Sequence, residues 1–202
     1  MVKFLFIFLF FTYNHVACMQ KQIISFVNFN KQKHAQYIEE IFSDPEDYKF
    51  LEDNYEEIPY KPGLGLQMFE LCSGLGEKEL GGEGKILEID EGGLKEFVGF
   101  ITYFIANNSY NTKMSKGDGC IPIVAIHKKF RGKKLSVDAM NYILTFFKKN
   151  QCQKIWLKVH DNNESAKNLY KKFDFEKTNV STGCKGVDWW VCNLKKQQEQ
   201  LK

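Results

Sequence analysis

The sequence predicts an α/β domain in which strands are interleaved with about four helices. Three observations predict it. From Cys120 onward an apolar strand, a helical stretch, an alternating strand and a second helical stretch follow one another. Ten of the fifteen glycines lie between Gly63 and Gly99, so strands there are short and joined by tight turns. The 202 residues suit one hydrophobic core, and the composition excludes intrinsic disorder, collagen and a disulfide-dense miniprotein.

In chain order, 22–29 is a β-rich run, and Lys31 to Phe42 follows with Ala35, Ile38, Ile41 and Phe42 on one helical face. Ser43-Asp44-Pro45-Glu46 has the form of a helix start, with Ser43 or Asp44 as cap and Pro45 in the first turn, and a second, acidic helix runs to about Tyr55. Strands are expected at 64–72, 85–89 and 97–105. Gly82-Glu83-Gly84-Lys85 is not a phosphate loop, because Glu79 stands at the first required glycine and Ile86 at the required Ser/Thr. The next strand, 121–126, enters the basic loop 127–134. A helix over 135–149 carries Ser136, Met140, Ile143, Leu144 and Phe147 on one face, and 154–160 alternates with Ile155, Leu157 and Val159 on the buried side. Asn162 or Asn163 caps a short helix ending near Phe173, strands follow at 175–180 and 187–194, and 195–202 is a polar, disordered tail.

Met1 to Cys18 has a positive start at Lys3, an apolar run from Phe4 to Phe11 and a polar stretch ending Val16-Ala17-Cys18, the three-part layout of a secretory signal peptide. The apolar run is too short to span a bilayer, which takes about 20 residues. His15-Val16-Ala17-Cys18 matches a bacterial lipoprotein box only in part, since His15 stands where an aliphatic residue belongs. The domain then occupies 19–194. Its cysteines, Cys72, Cys120, Cys152, Cys184 and Cys192, show no metal-ligand spacing, so no metal is expected. Cys184 and Cys192 flank a hairpin and are the pair for a bridge in an oxidising compartment, the alternative being five reduced thiols. Asn-x-Ser sequons begin at Asn107, Asn163 and Asn179.

The net charge of +3 gives no nucleic-acid or membrane-surface signature, and no aromatic residues interleave with the lysines. A local signal remains. A strand, a loop and a helix in the order Ile126, Arg131-Gly132, Ser136 form a device for gripping phosphate: amide N–H groups and the helix dipole face the anion, Gly132 permits close approach, and Arg131, Lys133 and Lys134 add charge. Downstream, Asn163, Ala166, Tyr170 and Phe173 share one helical face.

These two segments resemble the GNAT superfamily of N-acetyltransferases. The family's acyl-CoA loop, V-h-P-x-y-R-G-x-G-x-G/A, is similar to Ile126-His127-Lys128-Lys129-Phe130-Arg131-Gly132-Lys133-Lys134-Leu135-Ser136, and its later motif, N-x-x-A-x-x-x-Y-x-x-x-G-F, to Asn163 through Phe175. The resemblance implies an α/β fold with a mixed central sheet of six to seven strands flanked by about four helices, and a splayed acyl-CoA-binding strand pair in which Val124 and Ile126 pair with the pantetheine amides. It also implies that amides from Arg131 through Gly132, Lys133, Lys134 and Leu135 to Ser136 hold the pyrophosphate, that Asn163 contacts the pantetheine arm, and that Tyr170 protonates the departing thiolate. Acetyl-CoA is then the cosubstrate and an amine of a small molecule or protein the acceptor, in a monomer or homodimer. The alternative is a catalytically degenerate module that binds CoA or a protein partner. Lys134 and Asp174 stand where the family has glycine, and a lysine at a position needing positive φ either crowds the pyrophosphate or adds a contact to it. Glu70 and His160 are candidates for the general base. An export leader on a protein using an intracellular cosubstrate implies delivery to a compartment holding acetyl-CoA, a tether facing the cytoplasm, or a leader without function.

Overall fold

The computed structural model describes residues 24–51, 59–74, 82–107 and 114–194. The leader and the C-terminal tail lie outside the described residues, as does the stretch 52–58 in which the acidic helix was expected to end. Seven strands form one sheet in the order β1-β2-β3-β4-β5-β7-β6: β1 (Ile24–Asn28), β2 (Glu83–Glu91), β3 (Leu94–Ile105), β4 (Gly119–Ile126), β5 (Lys154–His160), β6 (Glu176–Ser181) and β7 (Val187–Asn193). Every pairing is antiparallel except β4 with β5.

Five α-helices accompany the sheet: α1 (Lys31–Ser43), α2 (Pro45–Leu51), α3 (Leu64–Cys72), α4 (Leu135–Lys149) and α5 (Glu164–Lys171). α1 begins where Asn30 Oδ1 accepts from the Lys33 amide, and it buries His34, Ile38, Ile41 and Phe42. α4 buries Leu135, Ala139, Met140, Ile143, Leu144 and Phe147 in one core with residues of β2, β3, β4, β5 and β7, so Leu135 takes the first-turn core position expected for Ser136. Ile38, Phe42 and Phe69 fill the opposite face with Ile86, Phe100 and Ile123.

Segment 64–72 is a helix and not the expected strand. Leu64, Met68, Phe69 and Cys72 meet the α1 layer at helical spacing. Gly63 turns the chain into the helix at φ 92, and the Glu39 carboxylate on α1 accepts from the amides of Gly63 (3.2 Å) and Leu66 (2.5 Å) and from the Tyr60 hydroxyl (2.6 Å). Gly65 sits so close that a Cβ there would lie 2.7 Å from the Phe42 Cβ. The strand expected at 85–89 is longer, 83–91, and carries Glu83, Gly84 and Lys85 into the sheet.

β5 departs from simple alternation because it is central: Trp156 and His160 are buried on the face opposite Ile155, Leu157 and Val159. Cys184 and Cys192 are thiols and not a bridge, Cys192 lying fully inside the main core. No group of metal-binding side chains occurs among the described residues, and none of their helices is long and apolar enough to cross a membrane.

Candidate active site

β4 and β5 are paired over only three positions, Gly119 with Ile155, Cys120 with Trp156 and Ile121 with Leu157. The next residue of β4 is Pro122, which has no N–H to continue the ladder. Beyond it the strands diverge, and a cleft of about 620 Å³ opens between Val124 and Ile126 on β4 and Lys158 and His160 on β5. One end is closed by loop 131–136 and the flank by α5, with Asn163, Ala166 and Tyr170 facing in, while Ile41, Glu46 and Asp47 bring the α1–α2 corner to the same space.

The loop has the backbone of an anion cradle. Gly132 lies at φ 81 and Lys134 at φ 63, both left-handed, and Lys134 is the N-cap of the fifteen-residue helix α4. Among the described residues, the amides of Gly132, Lys134, Leu135 and Ser136 find no backbone acceptor, so four donors converge at the positive end of a helix dipole. Lys134 thus adopts the conformation that the family's glycine implies, at a cost of about 1 kcal/mol for an L side chain. Asp174 does the same at φ 59 in the turn after α5.

The basic side chains are placed differently from their sequence order. Arg131, expected as a phosphate ligand, donates from Nε to the Ile126 carbonyl at 3.2 Å and pairs through Nη2 with Asp47 on α2. Lys128 pairs with Asp44 at 2.8 Å and Lys129 with Glu96 on β3. The Lys128 ammonium, then the Glu46 amide, hold the Asp44 carboxyl below its usual range. Lys133 does not line the cleft; its ammonium lies 5.3 Å over the Phe130 ring. Lys134 is the cleft-lining cation of the loop that makes no ion pair among the described residues. Asp44 and Asp47 were legible only as a helix cap and first turn. Their spacing of three, matched to the cations at 128 and 131, was the available signal.

Asn163 caps α5, its Oδ1 accepting from the Ala166 amide at 3.0 Å, which leaves its NH₂ as the group that can donate into the cleft. A glycan on its sequon would occupy that space, whereas Asn179 is exposed on the edge strand β6. Tyr170 is buried, and burial pushes its phenol up to about 12. His160 is buried in the cleft wall, its carbonyl accepting from the Asn163 amide at 3.0 Å. Glu70, the other candidate base, lies on α3 in an ion pair with Lys31 at 3.1 Å, beside a separate groove and not the cleft. The structure therefore brings nine of the ten acyl-CoA and catalytic candidates to one cleft and sets Lys133 and Glu70 apart from it.

Comparison with known proteins bears on the fold and the family. No curated protein is significantly similar in sequence. Among solved structures, spermidine N-acetyltransferase from Vibrio cholerae in complex with CoA and spermine superposes with a TM-score of 0.63 at 15% identity, over 87% of this chain and 98% of that one. An aminoglycoside acetyltransferase in complex with coenzyme A gives 0.64 at 14% identity, over 89% and 100%. The ribosomal-protein-S18-alanine N-acetyltransferase of Escherichia coli gives 0.55 at 13% identity, over 86% and 94%. These likenesses show the fold. The sequence model of the acetyltransferase (GNAT) family matches residues 36–175, well over half of the chain, and the protein is thus a member of the GNAT acetyltransferase family.

Proposed function

We propose that the protein transfers an acetyl group from acetyl-CoA to an amine by direct attack. The observation that carries this reading is the meeting, in one cleft, of an amide cradle suited to a pyrophosphate with a buried tyrosine hydroxyl. The residues fit the cosubstrate: a stretch of β4 paired to β3 but open on its β5 side offers the backbone groups of Val124 and Ile126, the cradle lies at one end and Tyr170 lines the cleft wall. Acetyl-CoA supplies the activated acyl group. As the C–N bond forms and the C–S bond breaks, Tyr170 gives its proton to the sulfur and regains one from the acylated nitrogen. A phenol pushed up to about 12 stays protonated through the neutral range and is ready to act as donor. His160 is the cleft residue suited to accept the proton that an ammonium acceptor must first lose. The left-handed backbone at Lys134 keeps the cradle intact, which favours catalysis over the degenerate module.

Calorimetry with acetyl-CoA and CoA release in the presence of an amine panel test the reading. Tyr170→Phe should lower kcat about 100-fold with acetyl-CoA affinity nearly unchanged. Equal losses in both would remove the acid role, binding without turnover on any amine would favour the degenerate module, and no binding would remove the enzyme reading. The export leader stands on the sequence, and the mature N-terminal residue checks it.

A further inference from the structure

Five cations lie between positions 128 and 134, and three of them are already committed to carboxylates: Lys128 to Asp44, Lys129 to Glu96 and Arg131 to Asp47. Two of these partners are 84 residues away in sequence, on the cap and first turn of α2. Arg131 is the chain's sole arginine. Its guanidinium bridges two structural groups, the Ile126 carbonyl at the end of β4 and the nearly buried Asp47 carboxylate, and both bonds brace the base of the loop that carries the amide cradle. Bidentate bracing of this kind suits a planar guanidinium and not an ammonium.

We infer that Asp47 is a positioning residue for the acyl-CoA loop, with Arg131 as its strut. Arg131 holds the cradle in shape and carries no phosphate charge, and that charge falls to Lys134, whose side chain lines the cleft. Because Asp47 and Glu46 also form the α1–α2 wall of the cleft, the strut ties that wall to the phosphate end. The inference about phosphate rests on the acetyl-CoA reading, whereas the bracing does not.

Two measurements on the full chain test it. Hydrogen exchange without ligand reads the bracing alone. Asp47→Asn should speed exchange of the amides in 130–136 by about tenfold and Arg131→Gln, which also loses the Ile126 bond, by at least as much, and the double variant should go no further than Arg131→Gln alone, because the Asp47 link is already lost in it. Unchanged exchange in this loop, or additive effects, would overturn the strut. Calorimetry then separates strut from phosphate ligand. Asp47→Asn should weaken acetyl-CoA binding about tenfold, the scale of one charge-assisted hydrogen bond, with the salt dependence of binding kept. Lys134→Ala should flatten that salt dependence. Equal or tighter binding by Asp47→Asn, or a salt dependence flattened by Arg131→Gln, would overturn the assignment by showing that a released Arg131 reaches phosphate. Failure of the wild type to bind acetyl-CoA would remove the function proposed above and would overturn the charge assignment to Lys134, while leaving the exchange result to decide the strut.

Discussion

Around the loop 127–134 and α5 the shape of the chain is set by backbone conformation, whereas in the α1–α3 layer it is set by carboxylates. Gly132, Lys134 and Asp174 adopt φ of 81, 63 and 59, and these three residues turn the chain into α4 and out of α5. In the other layer Glu39 collects three donors at the start of α3, Glu88 on β2 faces Lys33 at 2.5 Å and His34 at 3.4 Å, and Asp44 and Asp47 reach across to the loop. A turn residue is a local device. A carboxylate acting across tens of residues is effective only once the fold exists, and so the first region can be changed one residue at a time, while the second fails by leaving several partners unsatisfied.

The largest effect expected from this contrast is at Glu39. Glu39→Ala deprives the Tyr60 hydroxyl and the amides of Gly63 and Leu66 of their acceptor and should cost about 2 kcal/mol, read as a lower denaturation midpoint. A cost under about 0.5 kcal/mol would mean that the apolar face of α3 holds it alone. At the loop the sign reverses. Lys134→Gly removes a side chain from a left-handed position and should raise stability by about 1 kcal/mol even while it removes the charge proposed to meet the phosphates of acetyl-CoA. A destabilised variant would show that the lysine stem packs.

The third test separates the regions by pH. His34 Nδ1 accepts from the Asn30 amide at 2.9 Å, so its proton sits on Nε2, facing Glu88. Burial, then the Lys33 charge, hold the imidazole below its ordinary 6.5 despite Glu88. Burial pushes Glu88 up, but Lys33 and His34 outweigh it and leave the carboxyl below its ordinary 4.5. A His held low contributes fully above 6.5 and loses its share as pH falls below that value, and a carboxyl held low loses its share below 4.5. Stability should therefore fall on acidification in two steps, and His34→Gln should remove the first. A first step that survives the substitution would assign it elsewhere.

The contrast also explains what the sequence disclosed. The loop and α5 were legible because their determinants are adjacent: Arg131-Gly132 before a helix, and an Asn at the cap of one, state their geometry within a few residues. Lys134 was legible as a conflict, and the conflict is resolved by the backbone taking the left-handed form despite the side chain. Segment 64–72 was misread because an apolar run bounded by turns fits a strand or a helix equally, and what decides it is Glu39, some 25 residues upstream. The ion pair of Arg131 was not legible for the same reason, its partner lying in the first turn of α2. His34 was missed on the buried face of α1 because its charged neighbour Glu88 belongs to a strand 54 residues on.

The short seam between β4 and β5 has a mechanical consequence. Two antiparallel ladders, one of four strands and one of three, are joined by three residue pairs, and below one face α4 packs against strands of both. Such a sheet is stiff within each ladder and compliant across the joint, like two boards hinged on a common spine. Opening the cleft bends that joint without breaking any pairing inside either ladder. A molecule seated in the cleft takes the place of the missing crosspiece, so its residence converts a hinged plate into a single one.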